Sequence, residues 1–149
     1  MNRVIIFLSI FLICNSLFSQ IDLYRDTSVN VIENNTSFKN AWASGINAAQ
    51  FNEIDLDLDG TMDLVVFDKS GNKLIPYLNK NGKFVFAPKY RSYFPIHNDG
   101  RDLHDWVIFA DYNCDGKNDI YTYSSGGFAI FKNTSTSSLS FSLIEQHSL

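Results

Sequence analysis

The chain is short of cysteine, of proline, of positive charge and of helical periodicity, and each shortage removes a class of explanation. Two cysteines occur in 149 residues, and one of them, Cys14, lies in an N-terminal apolar run. A domain framed by intramolecular disulfides is therefore excluded. Twelve basic residues face sixteen acidic ones, for a formal charge of −4. That is the wrong sign for a partner made of phosphates and a suitable one for a protein that holds cations. After residue 20 no stretch of useful length repeats its apolar residues at helical spacing. Proline occurs three times, as Pro76, Pro88 and Pro95. Pro76 lies in a strand-like run and is expected to place that run at a sheet edge, where a missing N–H is tolerated.

What is present begins with a leader. Arg3 precedes the eleven residues "VIIFLSIFLIC" and then "NSLFSQ", the order of a secretory signal: basic start, apolar middle, small residues at the exit. Cleavage after Ser19 leaves 130 residues, with 11 basic against 16 acidic and Cys114 as the sole cysteine. The apolar run falls short of the roughly 20 residues that span a bilayer. An uncleaved anchor and lipid attachment at Cys14 are the alternatives, the second disfavoured by Ile13, where a small residue is expected. Aromatic residues make up 15% of the chain, mostly Phe and Tyr, and rings of this kind pack well on pleated sheets.

The chain repeats itself. "EIDLDLDGTMDLVVFDKSGNKLIPYLN" (53–79) aligns with "FADYNCDGKNDIYTYSSGGFAIFKN" (109–133), so that Asp55, Asp57, Asp59, Gly60 and Asp63 fall on Asp111, Asn113, Asp115, Gly116 and Asp119 at a constant offset of 56. Each aspartate loop leads into an apolar run, a Gly-containing turn, a second run closing on Asn79 or Asn133, a polar turn and a final alternating segment, 82–90 or 138–146. With "AAQFNEI" and "HDWVIFA" upstream of the loops, each copy reads as four strands. Four strands per repeat of this length indicate a propeller blade, which cannot bury both faces alone and relies on its neighbours. The expected fold is all-β: two four-stranded propeller-type blades forming an incomplete propeller. The expected segments are a signal at 1–19, an N-terminal stretch at 20–37, and repeats at 38–96 and 97–149.

The loops explain the acidity. Calcium takes about six to eight oxygens, and a loop wraps it with side-chain oxygens at its first, third and fifth positions, a carbonyl at the seventh and a further oxygen at the ninth. Gly at the sixth position permits the sharp turn. In loop one these are Asp55, Asp57, Asp59, the Thr61 carbonyl and Asp63; in loop two, Asp111, Asn113, Asp115, the Lys117 carbonyl and Asp119. Without a cation the clustered carboxylates repel one another. A solvated acidic turn is the plainer alternative. An EF-hand is excluded, because its twelfth-position Glu is Val66 in one copy and Thr122 in the other. These loops join strands rather than helices.

With these motifs the sequence resembles the FG-GAP or VCBS-type repeats, related in layout to the integrin α-chain head. Residues 40–79 are similar to repeats in exported surface proteins of gliding bacteria. The resemblance covers roughly residues 38–146. It implies a β-propeller, calcium at the positions above, and a secreted or cell-surface structural or adhesive role without catalysis. Partners would be an extracellular protein or glycan, with further blades or another chain covering the open faces. Two repeats are fewer than the family pattern, so a fragment of a longer protein is expected. An accessory or carbohydrate-binding part of a secreted enzyme, stacking sugars on Trp42 or Trp106, is the alternative. His97, His104 and His147 are scattered, and no nucleophile is placed against any of them. Asp99 and Asp102 have no regular spacing, and Cys114 occupies a non-ligating loop position.

Overall fold

The computed structural model describes residues 26–43, 45–95 and 103–148, with side chains of the last strand described as far as Ile144. The signal-like leader, Cys14, His97, Asp99 and Asp102 lie outside the described residues, as does the His147 side chain. The chain divides into two compact units, Met1–Asn30 and Val31–Leu149. In the first, Asp26 accepts hydrogen bonds from the Ser28 N–H at 2.9 Å and hydroxyl at 2.6 Å. Among the described residues no helix is long and apolar enough to cross a membrane.

The second unit is all β. A two-stranded ribbon, β1 (Ile32–Glu33) and β2 (Thr36–Ser37), turns through Asn34 and Asn35. Both have positive φ, 48° and 59°, as a two-residue hairpin loop requires. Two four-stranded antiparallel sheets follow. The first runs in the order β3 (Ala49–Ile54), β4 (Asp63–Asp68), β5 (Lys73–Lys80), β6 (Lys83–Phe86). The second is β7 (Val107–Ala110), β8 (Asp119–Ser124), β9 (Gly127–Asn133), β10 (Phe141–Ser148), with strands adjacent in sequence paired throughout. Each sheet is a consecutive meander, and among the described residues no strand closes the pair into a barrel. The fold is thus the expected all-β pair of propeller-type blades.

One apolar layer lies between the sheets. Ile54, Val65, Phe67 and Leu74 of the first, with Leu56 from the loop after β3, meet Val107, Ile120, Ala129 and Phe131 of the second, with Leu139 from the turn before β10. Val65, Phe67, Val107 and Ile120 have no exposed surface, and each such burial stabilises by about 1.5–3 kcal/mol. The opposite face of the first sheet carries Val66, Ile75 and Tyr77, covered by Ala43 from the 3-10 turn Ala41–Ala43. Asn40 fixes that segment: its amide donates to the Phe84 carbonyl (2.9 Å) and accepts from the Phe86 N–H (2.7 Å). One outer face expected to be open is therefore partly covered by the chain itself. The opposite face of the second sheet presents Ile108 and Tyr121, which are register partners, and exposed Tyr112 beside Tyr121.

The first strands of the two sheets, the edge strands β3 and β7, are joined by side chains. Val107 donates its N–H to Gln50 Oε1 (3.0 Å), and Phe109 to Asn52 Oδ1 (3.0 Å). Asn52 Nδ2 donates to the Val107 carbonyl at 3.4 Å.

Two expectations fail. Pro76 lies in β5, an inner strand between β4 and β6 rather than an edge. Its carbonyl accepts from the Ala87 N–H (2.9 Å). Carbonyl and nitrogen of a strand residue point the same way, so the missing N–H faces the side where β6 has already ended at Phe86. The paired side toward β4 loses nothing. The alternating segment 82–90 also stops being a strand at Phe86, because Pro88 opens a 3-10 turn, Pro88–Tyr93, where its lack of an N–H is harmless.

Candidate metal centre

Loop one joins β3 to β4 and loop two joins β7 to β8, and both are built by the same hydrogen bonds. In loop one Asp55 accepts the N–H groups of Asp59 (3.1 Å) and Gly60 (2.8 Å). In loop two Asp111 accepts those of Asp115 (3.1 Å) and Gly116 (2.8 Å). Gly60 and Gly116 both sit at φ +84°, and Leu58 and Cys114 both at φ +60°. The glycines adopt this left-handed conformation without steric cost; the other two are held in it by the loop.

The ninth-position aspartates have a second role. Asp63 is buried, and its two oxygens accept the N–H groups of Leu56 (2.8 Å) and Asn79 (2.7 Å). Asp119 does the same with Tyr112 (2.7 Å) and Asn133 (2.7 Å). Each carboxylate therefore clamps the start of its loop to the far end of the third strand in its sheet. The Asn79 and Asn133 side chains complete the frame by donating to the carbonyls of Met62 (3.2 Å) and Asn118 (3.1 Å). Burial pushes the Asp63 carboxyl above the usual carboxylate range, the two N–H donors pull it back, and the charges of Asp57 and Asp55 raise it again.

The loops differ in what they gather. In loop one Asp55, Asp57 and Asp63 each bring a carboxylate oxygen within 4.8 Å of the others, and among the described residues no other three acidic, His or Cys side chains do so. Asp57 Oδ1 is buried and has no hydrogen-bond partner. Asp57 Oδ2 meets Lys80 Nζ at 2.7 Å, and Asp59 Oδ2 lies 3.5 Å from the same ammonium. Asp59 stands outside that trio, its other oxygen accepting the Thr61 N–H at 2.8 Å. That bond, first among its causes, lowers the Asp59 pKa.

In loop two Asn113 replaces Asp57, and its amide donates to Asp115 Oδ2 (3.0 Å), which lowers the Asp115 pKa. Lys132 Nζ lies 3.4 Å from the same oxygen. The Lys117 N–H donates to Asp115 Oδ1 (3.0 Å), and its ammonium donates to the Ser135 carbonyl (2.6 Å). Cys114 is exposed. A cleft of about 240 Å3 separates the loops, lined by Asp55, Leu58, Met62, Lys117 and Asn118 among others.

The geometry suits a hard cation in loop one, where three carboxylates converge and one buried oxygen is unpartnered. Carbonyls and water could complete about six to eight ligands. Loop two offers the same frame with less charge. Neither loop presents a nucleophile beside a base. His104 is buried with Nδ1 at 2.8 Å from Asp105 and its ring 5.1 Å from Tyr123, and the half-buried Trp42 and Trp106 lie outside both loops.

Sequence reasoning missed Gln50, Asn52, Asn40 and Asp68. Asp68 accepts N–H groups from Ala48 (3.0 Å), Asn47 (3.3 Å) and Ser70 (3.2 Å), fixing the entry to β3. Its counterpart at the 56-residue offset, the last residue of β8, is Ser124, so the repeat gave no signal for it.

No curated protein and no solved structure matches the chain. Family comparison finds a match in the stretch that runs from the first aspartate of loop one into β8, and so contains both loops: residues 55–122 match an FG-GAP-like repeat.

Proposed function

We propose that this chain is a secreted or cell-surface interaction module, non-catalytic and stabilised by calcium bound in its aspartate loops. FG-GAP-like repeats are generally structural modules and are typically found in extracellular or cell-surface proteins. The observation that carries the metal reading is the convergence of Asp55, Asp57 and Asp63 with the buried, unpartnered Asp57 Oδ1. A bound divalent ion supplies positive charge where these carboxylates meet. The protein contributes the frame: Gly60 aims the loop inward, Asp63 ties it to β5, and Asp55 holds its tip. Loop one, with four carboxylates to three in loop two, is the tighter site. The outward surfaces of the sheets then serve as docking faces for an extracellular protein or glycan.

The test is a melt of the full chain with calcium and with excess chelator, alongside calorimetric titration. Calcium is expected to raise the melting temperature, with loop one filling first at roughly 10⁻⁴ to 10⁻³ M, the range of extracellular calcium modules. Asp57→Ala, which leaves no oxygen at that position, should remove most of loop one's share of that increment. A melt indifferent to calcium, or unchanged calcium binding in Asp57→Ala, refutes the reading.

A further inference from the structure

Lys80 is placed where a divalent ion would have to compete with it. It is the last residue of β5, immediately after Asn79, whose N–H is held by Asp63. On its other side Asn81 and Gly82, at φ 57° and 76°, form the two-residue turn into β6. Its backbone is therefore fixed by the same frame that builds loop one. Its side chain is 47% exposed, and the ammonium contacts both Asp57 (2.7 Å) and Asp59 (3.5 Å). Asp57 is thus divided: Oδ2 is neutralised by Lys80 while Oδ1 is buried and unpartnered. An ion engaging Asp57 must share it with an adjacent positive charge or move that charge into solvent. The flexible lysine stem allows the second course. Loop two reaches a comparable arrangement from a different position: Lys132, just before Asn133, lies 3.4 Å from Asp115.

We propose that Lys80 is a built-in competitor for the cation of loop one. With no divalent ion present it is the counter-charge that keeps the loop folded. When the ion binds it yields Asp57, and this exchange sets the calcium concentration at which the loop fills. The inference rests on the metal reading of the loops, and it assigns the affinity to a residue outside the loop motif.

The experiment is an amide-resolved NMR titration of the full chain with calcium chloride, following the Gly60 and Gly116 N–H signals as separate reporters of the two loops. Lys80→Gln is compared with wild type, with Lys80→Met as a second variant that keeps the apolar stem. Lys83→Gln, its register partner on β6, removes an equal charge that makes no contact with the loop. Both Lys80 variants should move the Gly60 midpoint to calcium concentrations about threefold to tenfold lower, the scale of an exposed ion pair plus the lost repulsion. They should leave the Gly116 midpoint in place and lower the melting temperature in chelator. Lys83→Gln should shift Gly60 by less than about twofold. If the Lys80 variants leave the Gly60 midpoint unchanged or raise it while calcium still binds, the competitor role is overturned and the metal reading stands. If Gly60 ignores calcium in every variant, both are overturned.

Discussion

Asp119→Asn separates the two roles that a ninth-position aspartate can have. The wild-type carboxylate is buried and accepts two backbone N–H groups, from Tyr112 and Asn133, both at 2.7 Å. Asparagine keeps one acceptor and turns an NH₂ toward the other N–H. One charge-assisted bond is lost and one buried donor is stranded. Hydrogen bonds to charged groups contribute about 1.5–3 kcal/mol, and a stranded buried donor costs about 1–3 kcal/mol. Allowing for overlap between these, the expected loss is about 2–4 kcal/mol. In a unit of this size that lowers the melting temperature by about 8–16 °C. The assay is thermal and urea unfolding in excess chelator, where ligation cannot contribute. Asn113→Ser is the comparison, since its exposed side chain bonds only within the loop, and it should stay within about 0.5 kcal/mol of wild type under those conditions. If Asp119→Asn melts within about 2 °C of wild type in chelator, the clamp is not a folding element and the residue acts through the ion alone.

Two further outcomes follow from the frame. Asn52→Leu should destabilise by about 1–3 kcal/mol, because it strands the Phe109 N–H and the Val107 carbonyl at the seam between the sheets; urea midpoints measure it, and a neutral result would mean the amide bridge carries no stability. Asp68 is held below its ordinary pKa of 3.8, chiefly by the Ala48 N–H and further by those of Ser70 and Asn47. A depressed folded pKa means that the unfolded chain binds more protons, so this stabilisation is present above about pH 4 and is lost as pH falls through the folded value. Asp68→Asn should therefore show a shallower fall in stability between pH 5 and pH 2 in calcium-free buffer, and an unchanged slope would remove Asp68 from the account.

The architecture was readable because it is written twice. A constant offset places each loop, each following strand and each closing Asn, and alternation within the runs marks strands where side chains face two environments. The departures arise where tertiary direction matters more than composition. Pro76 looked like an edge residue, yet only one of its two sides needed a donor, and composition does not tell which. The segment from Gly82 to Tyr90 is strand-like in composition, but Pro88 forces a turn before the segment ends. The ninth-position aspartates were legible as oxygen donors and not as clamps, since their partners, Asn79 and Asn133, lie a hairpin away. Gln50 and Asn52 were invisible because the second copy has Trp106 and Ile108 there: the seam between the sheets occurs once in the described residues, so no repeat could announce it.

The seam has a bearing on how the molecule behaves in company. β7 is a terminal strand of its sheet, and unpaired terminal strands invite other chains to add on and grow fibrils. Here the outward-pointing N–H groups of Val107 and Phe109 and the Val107 carbonyl are already occupied by the amides of Gln50 and Asn52. Side chains quench the margin without extending the ladder, so each ribbon keeps its own twist while the border between them offers no template to a passing polypeptide.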